Sequence, residues 1–304
     1  MKIGHISDIH WLDTTGARPG DFFNKRLSGA FNLLAGRAKK HSKETARMAL
    51  EMLRDLKIDH LIVTGDLSNL ALPGEFSAVR HVLDSYFEDA QMSIVPGNHD
   101  FYTGESLKAR RFEKMIYTHR PGNVDLGTED VWPFVNVFGD VAVIGLNSAQ
   151  PRPWFVAAGR LGVSQLEALE KALNHPEVAG RFKIVALHHH LFQVVMTPGE
   201  SLRQLEDRAE LLDICRRNNV GLIVHGHNHD YTFRYVEPVL VCEAGSCSVC
   251  RFKRDVRAGK FNIYTVEERK LCGVETYRYA DGAFALWQSY HFEGGEWRCR
   301  CPDR

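Results

Sequence analysis

The 304-residue chain has no apolar run of the roughly 18 residues that a membrane-spanning helix needs. Its opening, MKIGHISDIH, lacks the apolar stretch of a secretory leader, so a cytoplasmic location is expected. It also lacks a charge excess, with 38 Lys and Arg against 38 Asp and Glu. A dedicated nucleic-acid binder usually carries a basic surplus, so stable nucleic-acid binding is not expected. Cysteine is scarce and odd in number, at seven, which argues against a disulfide framework and suits a reducing compartment. Cys242, Cys247 and Cys250 cluster, but free thiols around a strand and its loop fit that spacing better than a zinc site. Internal repeats and low-complexity tracts are missing too.

What is present is an alternation of short buried strands with amphipathic helices, in a chain long enough for one large α/β domain. Strands are predicted at 2–7, 60–64, 92–95, 134–138, 141–146, 183–187 and 221–224, with helices at 44–56, 75–87, 107–117 and 205–218. Ser164-Gln165-Leu166-Glu167 has the form of a capping box opening a helix that runs to about Leu173. After Tyr231 the pattern turns strand-rich. The expected domain is a single one over 1–304, with a core over about 1–250 and a β-rich extension over 251–304. Ligands in such folds bind beyond the carboxyl ends of the strands.

The polar clusters fall there. Asp8-Ile9-His10, Gly65-Asp66, Gly97-Asn98-His99-Asp100, His188-His189 and Gly226-His227-Asn228-His229 each follow a predicted strand. A lone Asp-x-His is weak evidence, whereas a cluster at each of five strand ends is hard to reach by accident. Carboxylate, amide oxygen and imidazole suit Mn²⁺, Fe, Zn²⁺ or Mg²⁺. Asp8 and His10 alternate along the chain, so a bend after the strand aims both at one ion; His227 and His229 share that spacing. The donors suffice for two ions, with a carboxylate such as Asp66 able to bridge them, and a metal pair about 3.5–4 Å apart clamps an in-line displacement at phosphorus. His190 and His225 are read as packing or supporting residues, and His5, His41, His60, His81, His119, His175 and His291 as ordinary.

These motifs, in this order, resemble the calcineurin-like metallophosphoesterase superfamily, whose pattern is D-x-H, G-D-x-x-N, G-N-H-D/E, a lone H, then G-H-x-H. The resemblance runs from Asp8 to His229. It implies a four-layer α/β sandwich of two mixed sheets flanked by helices. It implies two divalent metal ions (Mn, Fe, Zn or a mixed pair), one on Asp8, His10, Asp66 and His229, the other on Asp66, Asn98, His188 and His227. It further implies His99 as proton donor with Asp100 orienting it, and His189 as a phosphate contact. In the implied reaction, a hydroxide bridging the metals attacks phosphorus in line.

The branch is harder to read. Gly65-Asp66-Leu67-Ser68-Asn69-Leu70-Ala71 lacks the Asp-Arg pair of protein Ser/Thr phosphatases and looks closer to class III cyclic-nucleotide and glycerophosphodiester phosphodiesterases. A phosphodiesterase acting on a small-molecule or lipid-linked phosphate ester is therefore expected. Between the first two strands, Phe23, Leu27, Phe31, Leu34 and Ala38 recur at helical spacing among Lys and Arg residues, a pattern for peripheral contact with the inner membrane surface through 20–40. That segment also resembles, more loosely, enzymes that cleave the pyrophosphate of UDP-2,3-diacylglucosamine in lipid A synthesis. A non-catalytic metal-binding interaction module on the same fold is the alternative of a different class, disfavoured because the ligand set and proton donor are complete.

Overall fold

Alternation along the strands sets up three cores. The computed structural model describes residues 1–22, 40–119, 121–153, 156–192, 202–252 and 257–300. In β1 (Lys2–Ile6), Ile3 points into one core and Ile6 into another, as the two-residue period of a strand requires. β1 pairs in parallel with β2 (His60–Thr64), and β2 with β3 (Met92–Val95). These strands form one edge of a seven-stranded sheet. The second sheet has six strands: β4 (Phe134–Phe138), β5 (Val141–Gly145), β6 (Phe182–Ala186), β7 (Val220–His225), β8 (Thr232–Val236) and β9 (Val239–Glu243). Their order is β4-β5-β6-β7-β9-β8, with β5, β6, β7 and β9 parallel.

Between the sheets, Ile3, Ile62 and Val95 share a core with Val143, Ile184, Leu222 and Val224. On the outer face of the first sheet, Ile6, Leu61, Val63 and Ile94 pack on α1 (Lys43–Asp55), α2 (Pro73–Asp84) and α4 (Arg111–Ile116) through Leu53, Phe76, Val79 and Phe112. On the outer face of the second, Ile144, Val185 and Ile223 meet α5 (Val163–Leu173) and α7 (Arg208–Arg217) through Leu169, Leu211 and Ile214. The order of layers is helix, sheet, sheet, helix, as expected. α1 shows why the sequence gives these helices. Ser42 accepts from Thr45 N as N-cap, and Ala46, Ala49, Leu50 and Leu53 bury one stripe. Truncating Leu53 to Ala would cost about 2–5 kcal/mol.

The strand-rich tail is woven into the first sheet. β10 (Lys260–Glu267) pairs antiparallel with β1, and β11 (Lys270–Ala280), β12 (Ala283–Glu293) and β13 (Glu296–Cys299) continue outward, so the tail supplies four of its seven strands.

Two local expectations are corrected. The helix predicted over 107–117 is two short helices, α3 (Gly104–Lys108) and α4, broken where Arg110 takes φ +48°. Ser164 does not cap its helix. α5 starts at Val163 after Gly162, and the carboxylate of Asp207 takes Leu161 N and Gly162 N instead. The short α6 (Pro176–Ala179) and β13 had no counterpart in the sequence reading. The amphipathic pattern of the first excursion lies mostly on 23–39, outside the described residues. None of the described helices is long and apolar enough to cross a membrane.

Candidate metal centre

The motifs gather because the loops that leave the parallel strands are laced together. Asp8 N donates to Gly65 O, His10 N to Asp66 O and Trp11 N to Leu67 O, so the chain after β1 runs beside the chain after β2. Gly226 N donates to His188 O, joining the ends of β6 and β7. Two motif glycines are required by close approach. A Cβ on Gly97 would lie 2.2 Å from Asp66 Oδ1, and one on Gly226 would lie 1.9 Å from Ser7 Oγ and 2.5 Å from Asp8 Oδ2. The turns are sharp enough that Asp8, His10, Asp66, His227 and His229 all adopt φ between +49° and +84°, a left-handed region uncommon for non-glycine residues. Such strain persists where surrounding contacts over-determine it, and it concentrates at functional sites.

The side chains then converge on two adjoining points. At one, His229 Nε2 lies 3.0 Å from both Asp8 Oδ1 and His10 Nε2, and His10 Nε2 lies 3.8 Å from Asp8 Oδ1 and from Asp66 Oδ2. At the other, His188 Nε2 lies 3.2 Å from Asn98 Oδ1 and from His227 Nδ1, and 3.5 Å from Asp66 Oδ2. Asp66 Oδ2 thus faces both His10 and His188, while its Oδ1 accepts from His99 N. Asp8 Oδ2 accepts from His227 N, which leaves Oδ1 turned to the imidazoles.

Chemically, these contacts crowd carboxylate, amide and imidazole donor atoms into one small space, where ring protons or metal ions can bridge them. His188 Nδ1 donates to the Thr64 carbonyl, so in the neutral ring Nε2 carries the lone pair, and it faces two oxygens and a second imidazole. Only a positive charge makes such a cluster favourable. Burial opposes charge on His188, yet Asp66 and Asp8 outweigh it and raise its pKa to about 9. Asp66 itself is buried, which favours its neutral form, but His188 and His99 hold it well below the ordinary carboxylate range. His227 stays neutral through burial and the neighbouring histidines, and its Nε2 has no hydrogen-bond partner among the described residues. Asp8, His10 and Asp66 form one group able to hold a metal ion, and Asp66, His188 and His227 another. The donor set fits divalent cations of the kind the sequence suggested.

A third such group, His10, His41 and His229, was not foreseen. In the sequence His41 carries no signal, because it follows no strand and belongs to no motif. Here its ring stands edge-on to His10 at 4.7 Å and to His229 at 5.4 Å, with Nδ1 2.7 Å from Ser248 Oγ. The other unclustered histidines with buried rings have structural partners. His5 bonds Tyr264 and Thr64, and His60 bonds Ser93. His190 stacks on His227, and His225 is buried beneath the loop. The six described cysteines are free, and no ligand group among the described residues includes one.

His99 lines the cavity over the cluster, and its Nδ1 donates to the backbone carbonyl of Asn69 at 2.8 Å. Asp100 accepts from Gly97 N, Leu67 N, Ser68 N and Ser68 Oγ, so it ties the loop after β3, which carries His99, to the loop after β2. Burial and the Asp66 charge push its pKa up to about 7 against those four donors. One layer further out, Glu75 accepts from Asn69 N, Leu70 N and Leu72 N, and fixes the carbonyl that holds His99. Glu243 does the same for the loop of His227, accepting from Asn228 N and Asp230 N. Neither was singled out in the sequence, where a glutamate inside a helix or at a strand end carries no signal.

The cavity has a volume of about 530 Å³. His189 does not line it. That ring is fully buried with Nδ1 2.8 Å from Ser148 Oγ, and burial and His188 keep it neutral. The rim carries Lys40, Arg203 and Arg257. A second cavity of about 590 Å³ beside α5, with Trp132, Gln165 and His175 in its lining, contains no ligand group among the described residues.

Comparison with known proteins follows this geometry. The family model for calcineurin-like phosphoesterases matches residues 1–231. A probable cyclic nucleotide phosphodiesterase of Coxiella burnetii is 23% identical over 284 residues, covering 88% of this chain and 94% of that one. Another, of Rhodococcus erythropolis, is 28% identical over 176 residues, covering 56% and 51%. Among solved structures, a dimetal phosphatase from Danio rerio superposes with a TM-score of 0.59 at 12% identity, over 94% of this chain and 98% of that one. A purple acid phosphatase from yellow lupin gives 0.62 at 13% identity, over 95% of this chain and 52% of its own. The two sheets and flanking helices are thus a shared fold, and the match over 231 residues makes the chain a metallophosphoesterase, a member of the calcineurin-like phosphoesterase family.

Proposed function

We propose that this enzyme is a two-metal phosphodiesterase. The observation that carries the reading is the pair of adjoining donor clusters sharing Asp66, each with the oxygen and imidazole atoms that a divalent cation takes. Asp8, His10, Asp66 and His229 would hold one ion, and Asp66, Asn98, His188 and His227 the other, with Mn, Fe, Zn or a mixed pair suiting the donors. When bound, such ions supply Lewis acidity toward phosphoryl oxygens and a nucleophilic water of lowered pKa. The protein's own part begins with the turns that fix the donors before metal arrives. His99, held through Nδ1 by Asn69 O, lines the cavity and gives a proton to the departing alkoxide. Asp100, Glu75 and Glu243 hold the loops that aim these groups.

Diester specificity is supported by the two relatives named as probable cyclic nucleotide phosphodiesterases, and by the missing Asp-Arg pair after Asp66. The test is release of p-nitrophenol from bis(p-nitrophenyl) phosphate with Mn²⁺, its loss on chelation and return on adding metal, with 3′,5′-cyclic AMP and p-nitrophenyl phosphate alongside. Faster turnover of the monoester would overturn the diesterase reading. No metal-dependent turnover by a sample shown to contain metal would favour the binding-module alternative.

A further inference from the structure

The cavity rim has more positive charge than hydrolysis of a simple diester calls for. Two divalent ions bring four positive charges, and Asp8 and Asp66 remove two. A hydroxide and a singly charged diester neutralise the rest. Around this the lining adds Arg203 and Arg257, from two separate stretches of chain, and among the described lining residues the sole carboxylate is Asp66 itself. Arg203 is anchored beside the centre by a neutral partner, its Nη2 donating to His227 O at 3.4 Å, so that contact leaves its charge in place. Arg257 has Asp230 3.8 Å away, which offsets part of its charge.

We infer that Arg203 and Arg257 form a subsite for a second anionic group of the substrate, and that the preferred substrate is a phosphodiester carrying a further phosphate beyond the scissile one. Guanidinium groups suit that task because their forked donors match phosphate oxygens, and contacts between charged partners are stronger than neutral ones. Position favours it too, since both arginines line the cavity that holds His99, His227 and His229, so a substrate seated on the cluster lies within the same walls. The inference rests on the phosphodiesterase reading but goes beyond it, because a cyclic mononucleotide offers no second anion.

The test uses the full chain loaded with Mn²⁺ and two chromogenic diesters that differ by one phosphate: thymidine 5′-(p-nitrophenyl phosphate) and the same compound phosphorylated at the 3′ oxygen. Calorimetric binding of the products, thymidine 5′-monophosphate and thymidine 3′,5′-bisphosphate, gives a readout independent of turnover. The 3′-phosphorylated substrate is expected to show kcat/KM about tenfold higher, and its product about tenfold tighter binding, the size of one charge-assisted contact. In Arg203→Ala and Arg257→Ala this preference should shrink at least about fivefold, and Arg203→Lys should retain more of it than Arg203→Ala. Equal kcat/KM and equal binding for the two members of each pair would overturn the inference while leaving the diesterase reading intact. So would losses of the same factor on both substrates, which would put the arginines on the scissile phosphate. Absence of metal-dependent turnover on either compound would remove the diesterase reading and this inference with it.

Discussion

Replacing Glu75 with glutamine offers a sharp test of how the His99 loop is held. The Glu75 carboxyl group is fully buried and accepts from Asn69 N at 3.1 Å, Leu70 N at 2.9 Å and Leu72 N at 3.0 Å. Glutamine keeps one acceptor oxygen and turns the other position into a donor facing donors, so it leaves buried N–H groups unpaired at a cost of about 1–3 kcal/mol. A second effect depends on pH. Burial raises the Glu75 pKa from an ordinary 4.5 to about 7. Between those values the unfolded chain releases a proton that the native protein keeps, so stability from this group is full below pH 4.5 and falls as pH rises to 7. Over that window the loss amounts to about 3 kcal/mol, and glutamine, which does not titrate, escapes it. The stability gap between wild type and Glu75→Gln should therefore be widest near pH 5 and close as pH approaches 7. Urea unfolding of both proteins in chelator at pH 5, 6 and 7 measures this. Parallel curves would refute the buried, protonated glutamate. In kinetics, loosening Asn69 O should lower turnover on substrates with poor leaving groups more than on p-nitrophenyl esters, because only the former need the His99 proton.

Other outcomes follow from the same contacts. His99→Ala should retain its metal by elemental analysis and lose about 10²–10⁴ in turnover on 3′,5′-cyclic AMP, with a smaller loss on bis(p-nitrophenyl) phosphate; wild-type rates on both would remove His99 from the chemistry. Asp66→Asn should lower metal content at both positions, because Asp66 Oδ2 faces both clusters, and loss of a single equivalent would argue against a shared ligand. Gly97→Ala places a Cβ 2.2 Å from Asp66 Oδ1, so metal content should fall while circular dichroism stays close to wild type. His41→Ala should weaken Mn²⁺ binding in a competition titration, and an unchanged affinity would return His41 to the role of a packing residue.

Much of this site was legible because a strand end is a positional signal. Asp8, Asp66, Asn98, His188 and His227 each follow a short apolar run, so the sequence alone places them at the carboxyl ends of buried strands, which the fold distributes over two sheets. The glycines of Gly65-Asp66, Gly97-Asn98 and Gly226-His227 report backbones too close for a Cβ, as Gly97 and Gly226 show. Residues that contribute through distant contacts were hidden. His41, Arg203 and Arg257 reach the cavity from loops whose direction is decided by tertiary packing, and no spacing rule speaks for them. Glu75 and Glu243 were hidden differently, since a buried glutamate serving backbone donors has the same local sequence as an exposed one. The helix start missed at Ser164 has a tertiary cause too: Asp207, more than forty residues away in sequence, holds Leu161 N and Gly162 N and so fixes the entry to the helix.

The pairing of β1 with β10 bears on how the enzyme is made. β1 holds an interior place in its sheet, yet its neighbour on one side lies far downstream in the chain and leaves the ribosome long after it. Until residues 260–267 arrive, β1 presents a bare row of backbone donors and acceptors, a template for unwanted strand pairing. Ser246 and Ser248, which donate to Asp8 O, arrive late as well. Contacts this remote in sequence are slow to close, because a long loop must be ordered before they reward it. A fragment ending at residue 231 would thus contain every candidate ligand but lack the buttress beneath the first of them, and the nascent chain should acquire its affinity for metal only after residues 246–267 have emerged.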